Sequence, residues 1–292
     1  MIVFMDYLFL IIVVVCVSGQ NIFIKLFNGK SKDTTNASLM YLFCMASAAL
    51  LLIAGVSGFQ LAWHLPTFGY AMLFGLCFVG AIMGNVLAIK HGSLSLSALI
   101  VSYSLVIPTL FGFVFLDEEL SLFLLVGLLL LLISLSFINR RKHEEGSRIS
   151  LKWCFYIILA FGGNAMVSCV QKYHQVLYPG YYRNEFMAYA MMFVAFLGGI
   201  LLLVRHKKGE KVFWKNGFLY ALPAGIMNAV VNLLMMVLAV RLPASLLYPV
   251  VSAGGIVMTA VVSLCIYRER LSKQEFVGLA LGILSVVFLN LS

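Results

Sequence analysis

Residues 117–128 read Asp-Glu-Glu-Leu-Ser-Leu-Phe-Leu-Leu-Val-Gly-Leu, and residues 268–279 read Arg-Glu-Arg-Leu-Ser-Lys-Gln-Glu-Phe-Val-Gly-Leu. Glu118, Leu120, Ser121, Val126, Gly127 and Leu128 find identical partners in Glu269, Leu271, Ser272, Val277, Gly278 and Leu279, a constant 151 positions on. Holding that offset aligns 87–139 with 238–290 without a gap. It adds Leu87/Leu238, Ala88/Ala239, Leu96/Leu247, Val106/Val257, Leu130/Leu281, Ser134/Ser285, Phe137/Phe288 and Asn139/Asn290. A leucine-rich composition alone does not produce identities at this density, so the chain carries an internal repeat.

Each quoted copy is a short polar turn between two apolar runs, and such runs dominate the chain. Of 292 residues, 63% are hydrophobic and 11% charged, with a mean hydropathy of +1.04. Soluble domains average roughly 45–50% apolar and about 25% charged, so the solvent of this surface is lipid. Apolar stretches able to cross roughly 30 Å of hydrocarbon as helix cover approximately 5–27, 38–58, 68–91, 93–116, 121–138, 152–174, 185–204, 217–240, 244–267 and 273–291. The first holds Gln20, Asn21 and Lys25 and has no small-residue cleavage pattern, so it reads as a retained helix rather than a signal peptide.

With ten spans, the connections after odd-numbered spans share one side of the bilayer. Every Lys and Arg except Lys172, Arg183 and Arg241 falls on that side, which the positive-inside rule makes cytoplasmic and which puts both termini outside. The net charge of +9 and pI near 9.3 therefore express topology, and no nucleic-acid partner is expected. A five-helix repeat is odd, so its copies enter the membrane in opposite senses, related by an axis in the membrane plane. The quoted turns agree: Asp117, Glu119 and Leu122 give way to Arg268, Arg270 and Lys273, as a move from the outside to the cytoplasm requires. The expected fold is thus an all-α membrane protein, ten transmembrane helices in two inverted five-helix repeats, 1–145 and 146–292.

Two five-helix halves, each with a Glu-x-Leu-Ser turn between its fourth and fifth helices followed by Val-Gly-Leu, resemble the drug/metabolite transporter superfamily in its EamA-type branch. The resemblance implies a carrier of small metabolites or drugs in the cytoplasmic membrane. It further implies a binding cavity near the bilayer midplane, lined by helices 1, 3, 4, 6, 8 and 9. The shared turn is a family marker and reads as a fold element rather than a substrate ligand.

Polar residues at membrane depth are costly, which makes each one a candidate. Asn228 and Asn232, four apart, share a face of helix 8; helix 6 has Asn164; helix 4 has Ser102, Tyr103 and Ser104. Helix 9 supplies Tyr248 and Ser252 beside Pro249, and helices 1 and 3 add Gln20, Asn21 and Asn85. Asn and Ser also serve simply to bridge neighbouring helices, a reading that stands beside the cavity role for each. Lys90 and Arg241 match under the repeat, and Lys25 and Lys172 match at a shift near 147. All four lie at span ends, where they read as interfacial anchors, with gating toward an anionic solute as the alternative. Gly80 and Gly84, Gly278 and Gly282, and Gly217, Ala221, Gly225 and Ala229 are small residues at four-residue spacing, expected at close helix contacts.

No Asp or Glu lies mid-span, and His64, His91, His143, His174 and His206 fall at ends or in loops. A bare cation or a proton-coupled cycle asks for a deep titratable group, so a neutral or zwitterionic solute such as an amino acid, sugar or drug-like molecule fits better. Cys16, Cys44, Cys77, Cys154, Cys169 and Cys265 lie in apolar runs without metal-ligand or disulfide spacing and read as packing residues. No cofactor or metal is expected. No metallohydrolase, nucleophile-elbow or P-loop motif is present to support an enzyme or an ATP-driven pump. A non-transporting sensor or assembly subunit is the competing class, and a homodimer remains open.

Overall fold

The computed structural model describes residues 2–30, 34–91, 97, 100–118, 121–138, 150–206, 217–265 and 273–290. Their regular structure is entirely helical. The helices are α1 (Ile2–Lys30), α2 (Thr34–Val56), α3 (Leu65–His91), α4 (Val106–Phe115), α5 (Leu122–Ile138), α6 (Leu151–Leu177), α7 (Arg183–His206), α8 (Leu222–Arg241), α9 (Ala244–Cys265) and α10 (Lys273–Asn290). In hydrocarbon a backbone polar group has no water to bond, and the helix satisfies each within its own segment. Among the described residues six helices, α1, α2, α3, α6, α7 and α8, are long and apolar enough to cross a bilayer; α4, α5 and α10 are shorter apolar helices. The protein is an integral, multi-pass membrane protein.

Prolines explain the irregular approaches. Pro108 lacks the N–H that would bond Ser104 O, and its ring crowds that carbonyl. The preceding turn, Tyr103–Leu105, tightens to 3₁₀ and leads directly into α4. Pro223 sits in the first turn of α8, and the π-turn Gly217–Ala221 leads into it.

Small residues let the helices approach. α3 packs along α6: a Cβ on Gly84 would lie 2.7 Å from Ala160 N, and one on Gly163 would lie 2.7 Å from Cys77 O. Gly225 brings α8 closer still to the backbone of Met45 on α2. α5 and α10 run antiparallel and exchange two bonds: Ser134 Oγ donates to Gly278 O (2.6 Å) and Ser285 Oγ to Gly127 O (2.7 Å). The largest buried cluster lies where α2 meets α3, α7 and α8, around Phe74, Phe186, Met40 and Met187. α1 packs on α8 and α9, and α4 packs on α9 and α6.

Gly84→Ala should lower the melting temperature in detergent by the equivalent of about 1–3 kcal/mol, since its Cβ meets helix backbone that cannot yield. Gly69→Ala, with nothing within 4 Å, should leave it unchanged. Equal melting of the two variants would refute the close α3–α6 packing.

Candidate functional site

A cavity of about 390 Å³ opens where α1, the approach to α4, α6, α8 and α9 converge. Its polar lining comes from Asn21 on α1, Ser102 and Ser104 before α4, Asn164 and Ser168 on α6, and Tyr248 and Ser252 on α9. Val17, Val101, Leu105, Met235 and Val251 supply the apolar wall. No Asp, Glu, Lys, Arg or His is among the described lining residues, so binding here relies on hydroxyl and amide groups and on apolar contact. The Asn164 amide donates to Ser104 Oγ (2.6 Å), tying α6 to the tightened turn created by Pro108. Tyr248 donates to Ser168 O (2.7 Å), joining α9 to α6 across the cavity wall. On the facing side, Ser18 Oγ donates to Gly255 O (3.2 Å) and joins α1 to α9.

Of the residues expected from sequence, Asn164, Tyr248 and Ser252 line this cavity together with Asn21, Ser102 and Ser104. Tyr103 turns the other way, donating to Leu132 O (3.1 Å) and meeting Ser136 Oγ on α5. Asn228, Asn232 and Gln20 form a seam behind the wall. Asn228 Nδ2 donates to Gln20 Oε1 (3.1 Å), Asn232 Nδ2 donates to Asn228 O and Oδ1 (both 2.9 Å), and Gln171 Nε2 donates to Asn232 O (3.2 Å). These bonds stitch α1 and α6 to α8. Asn85 Oδ1 is buried without a hydrogen-bond partner among the described residues. Arg241 Nη1 bonds Asp6 Oδ1 at 2.8 Å, tying the end of α8 to the start of α1. The side chain of Lys90 lies outside the described residues, as does that of Lys25.

The anchor reading of Lys172 is overturned: its side chain does not snorkel but is 7% exposed within the bundle. Its Nζ donates to Ala239 O (2.8 Å), in the last turn of α8, and to Leu242 O (2.7 Å), just past its end. Glu118 stands beside it, with Oε1 3.7 Å from Lys172 Nζ. Its carboxylate accepts from Ala244 N (2.6 Å) and Ser245 N (2.9 Å), the first orphan donors of α9. Asp117 takes a left-handed conformation (φ 52°), one that Asp tolerates, and so turns Glu118 back over α9. Gly112 leaves room for that carboxylate, which a Cβ there would strike. Neither role was apparent in the sequence. The pointers were the identity of Glu118 with Glu269 and the loose match of Lys172 with Lys25.

At the same end of α6, two histidines share one hydroxyl. Thr67 N–H and its hydroxyl both face His64 Nδ1 (3.4 and 2.8 Å), so this nitrogen accepts. Thr67 Oγ1 then accepts from His174 Nε2 (3.0 Å), and His174 Nδ1 accepts from Gln175 (3.1 Å). His174 is completely buried, and His64 stacks on Tyr182 at 4.2 Å. The network binds the connection before α3 to the one after α6.

The protein is thus a multi-pass helical membrane protein with a polar, uncharged cavity among its helices. Residues 151–291 match the EamA-like transporter family. No curated protein gives a match. One protein of known crystal structure is similar in fold across 98% of this chain and 96% of its own, with a TM-score of 0.78 at 14% identity.

Asn232→Leu should weaken the α1–α8 seam by about 0.6–2 kcal/mol, because Asn228 Oδ1 loses its donor. Thermal unfolding in detergent should register the loss; an unchanged midpoint would remove the seam from the forces holding these helices.

Proposed function

We propose that the protein is a secondary carrier that moves a small neutral or zwitterionic metabolite across the cytoplasmic membrane by alternating access. The observation that carries this reading is the uncharged cavity in an EamA-like chain, where hydroxyls and amides from α1, the approach to α4, α6 and α9 converge within apolar walls. An ammonium or a carboxylate alone would lose its hydration there without a counter-charge, whereas a neutral molecule exchanges water for Asn164, Tyr248 and Ser252. A zwitterion brings its own opposite charge.

Ten spans and inverted halves are part of the proposal. The packing supports them: α3 on α6 is mirrored by α8 on α1, α3 on α7 by α8 on α2, and α4 on α6 by α9 on α1. The Ser134–Gly278 and Ser285–Gly127 bonds exchange under the 151-residue offset, and the two helices that make them are antiparallel. This is the relation an axis in the membrane plane generates. The distribution of Lys and Arg supports outside termini, with the connection at Glu118 also outside.

A thermal-shift screen of the purified protein against amino acids, sugars, nucleosides and organic cations should find a stabilising ligand among uncharged or zwitterionic solutes. Ser252→Val should then weaken its affinity about 2- to 10-fold, the value of one neutral hydrogen bond. Proteoliposome flux should fall in parallel. Wild-type binding and flux in both Ser252→Val and Asn164→Leu would exclude this cavity. For topology, impermeant maleimide should label a cysteine at Arg141 from the cytoplasmic side and one at Ser292 from the outside.

A further inference from the structure

We propose that Glu118 and Lys172 are the latch that holds the cavity closed at the end where α8 meets α9, an inference that rests on the carrier reading. The two helices are separated only by Leu242 and Pro243. Pro243 has no N–H to offer, and the chain is extended at Leu242, so the break leaves Ala239 O at the end of α8 and the N–H groups of Ala244 and Ser245 at the start of α9 to be met by side chains. Ala244 and Ser245 are buried, so water does not serve them.

Lys172 takes the α8 side and Glu118 the α9 side. Each charge also meets the favourable pole of a helix dipole, cation at a C-terminus and anion at an N-terminus. The distances rank the interactions: 2.6–2.9 Å from each charge to its helix end, against 3.7 Å between the charges. The device is therefore two helix-end clamps side by side rather than an ion pair that happens to lie near a turn.

Its position makes it a gate. Tyr248 is one turn into α9 from Ala244, and Ser168 is one turn along α6 from Lys172. Both line the cavity, and the tyrosine hydroxyl is bonded to the Ser168 carbonyl. Glu118 reaches across from the turn after α4, so a single site fastens α4, α6, α8 and α9 together above the ligand space. Admitting solute from this end requires α6 and α9 to part, which draws Lys172 and Glu118 off the ends they cap. Glu118 and Lys172 are positioning residues here: they act on the solute through the walls they hold.

The test uses Ser252→Cys as a reporter in the full-length protein, labelled in intact cells by a membrane-impermeant maleimide, over the background of the native cysteines. Glu118→Gln and Lys172→Met should each speed labelling from outside about tenfold, the response to a 1.4 kcal/mol shift toward the open state. The double variant should add little to either, because one latch is being broken twice. Gly112→Ala should mimic Glu118→Gln, since its Cβ displaces the carboxylate with every charge still present; this variant decides the matter if a charge variant fails to reach the membrane. The exchange Glu118→Lys with Lys172→Glu should not restore slow labelling, because each charge then meets the wrong helix pole. Wild-type labelling rates in the membrane-inserted variants would overturn the latch. Restoration by the charge exchange would overturn the end-clamp mechanism in favour of a simple ion pair. Labelling needs no substrate, so these results are separable from the flux and ligand measurements that test the carrier reading.

Discussion

Hydrocarbon cannot hydrogen-bond, and each feature described above answers that constraint. An unpaired backbone amide or carbonyl at membrane depth costs several kcal/mol, so wherever a helix stops or tightens, the protein itself must provide the missing partner. Where α8 ends and α9 begins, the partners are charged side chains from two other helices: Lys172 for the carbonyls and Glu118 for the amides. Where Pro108 removes a donor, the preceding turn tightens, and Asn164 bonds the Ser104 side chain there. Where α5 and α10 cross, serine hydroxyls reach the neighbouring backbone through the gap that glycine leaves. The helical architecture follows from the constraint, and the tertiary contacts form largely where the architecture is imperfect.

The same constraint explains the separation of charge from cavity. Burying a carboxylate or ammonium is tolerable only when its remaining hydrogen-bonding capacity is filled, and removing one partner from such a pair costs about 3–5 kcal/mol. Glu118 and Lys172 meet the condition because helix ends present several donors or acceptors at one point, which a lone side chain does not. A ligand cavity cannot offer that arrangement while empty. The cavity is furnished instead with groups that tolerate being unpaired at modest cost or that pair with one another, as Asn164 does with Ser104 and Tyr248 with Ser168. The polarity of the binding space and the electrostatics of the bundle end are separate solutions to one solvation problem.

Much of this was legible in the chain. Apolar run length located the six long helices within a few residues, because lipid leaves the backbone one conformational answer, whereas the run at 93–116 gave way to a tightened turn and the shorter α4. Asn164, Tyr248 and Ser252 were recognisable as cavity residues because polar groups at mid-span are rare. Depth did not reveal direction. Tyr103 lies at a comparable depth yet faces α5, since in the 3₁₀ turn a rotation of about 120° per residue separates it from its neighbours Ser102 and Ser104, which face the cavity. The seam of Asn228, Asn232 and Gln20 could not be told from a ligand site without the neighbours' positions, because bridging and binding use the same amides. Lys172 was misjudged for another reason. Proximity to a span end suggests snorkelling, but the side chain is long enough to turn inward when a neighbouring helix ends there.

The repeat also exposes a difference between interfaces that its sequence makes equivalent. The offset of 151 carries Cys77 and Ala81 of α3 onto Asn228 and Asn232 of α8. In the first copy these positions meet α6 through bare backbone: Gly163 comes so near Cys77 and Ala81 that no side chain fits between. In the second copy the same places carry amides: Asn228 reaches Gln20 on α1 and Asn232 bonds Asn228, while the Asn232 backbone carbonyl accepts from the Gln171 side chain on α6. Backbone contact of the first kind depends on shape alone and is lost with the smallest displacement, since dispersion falls off within an ångström. An amide chain is directional but exchangeable: Asn228 and Asn232 each have both donor and acceptor capacity, and can trade partners as helices slide. The α3–α6 contact is thus set by backbone shape and the α1–α8 contact by hydrogen bonds.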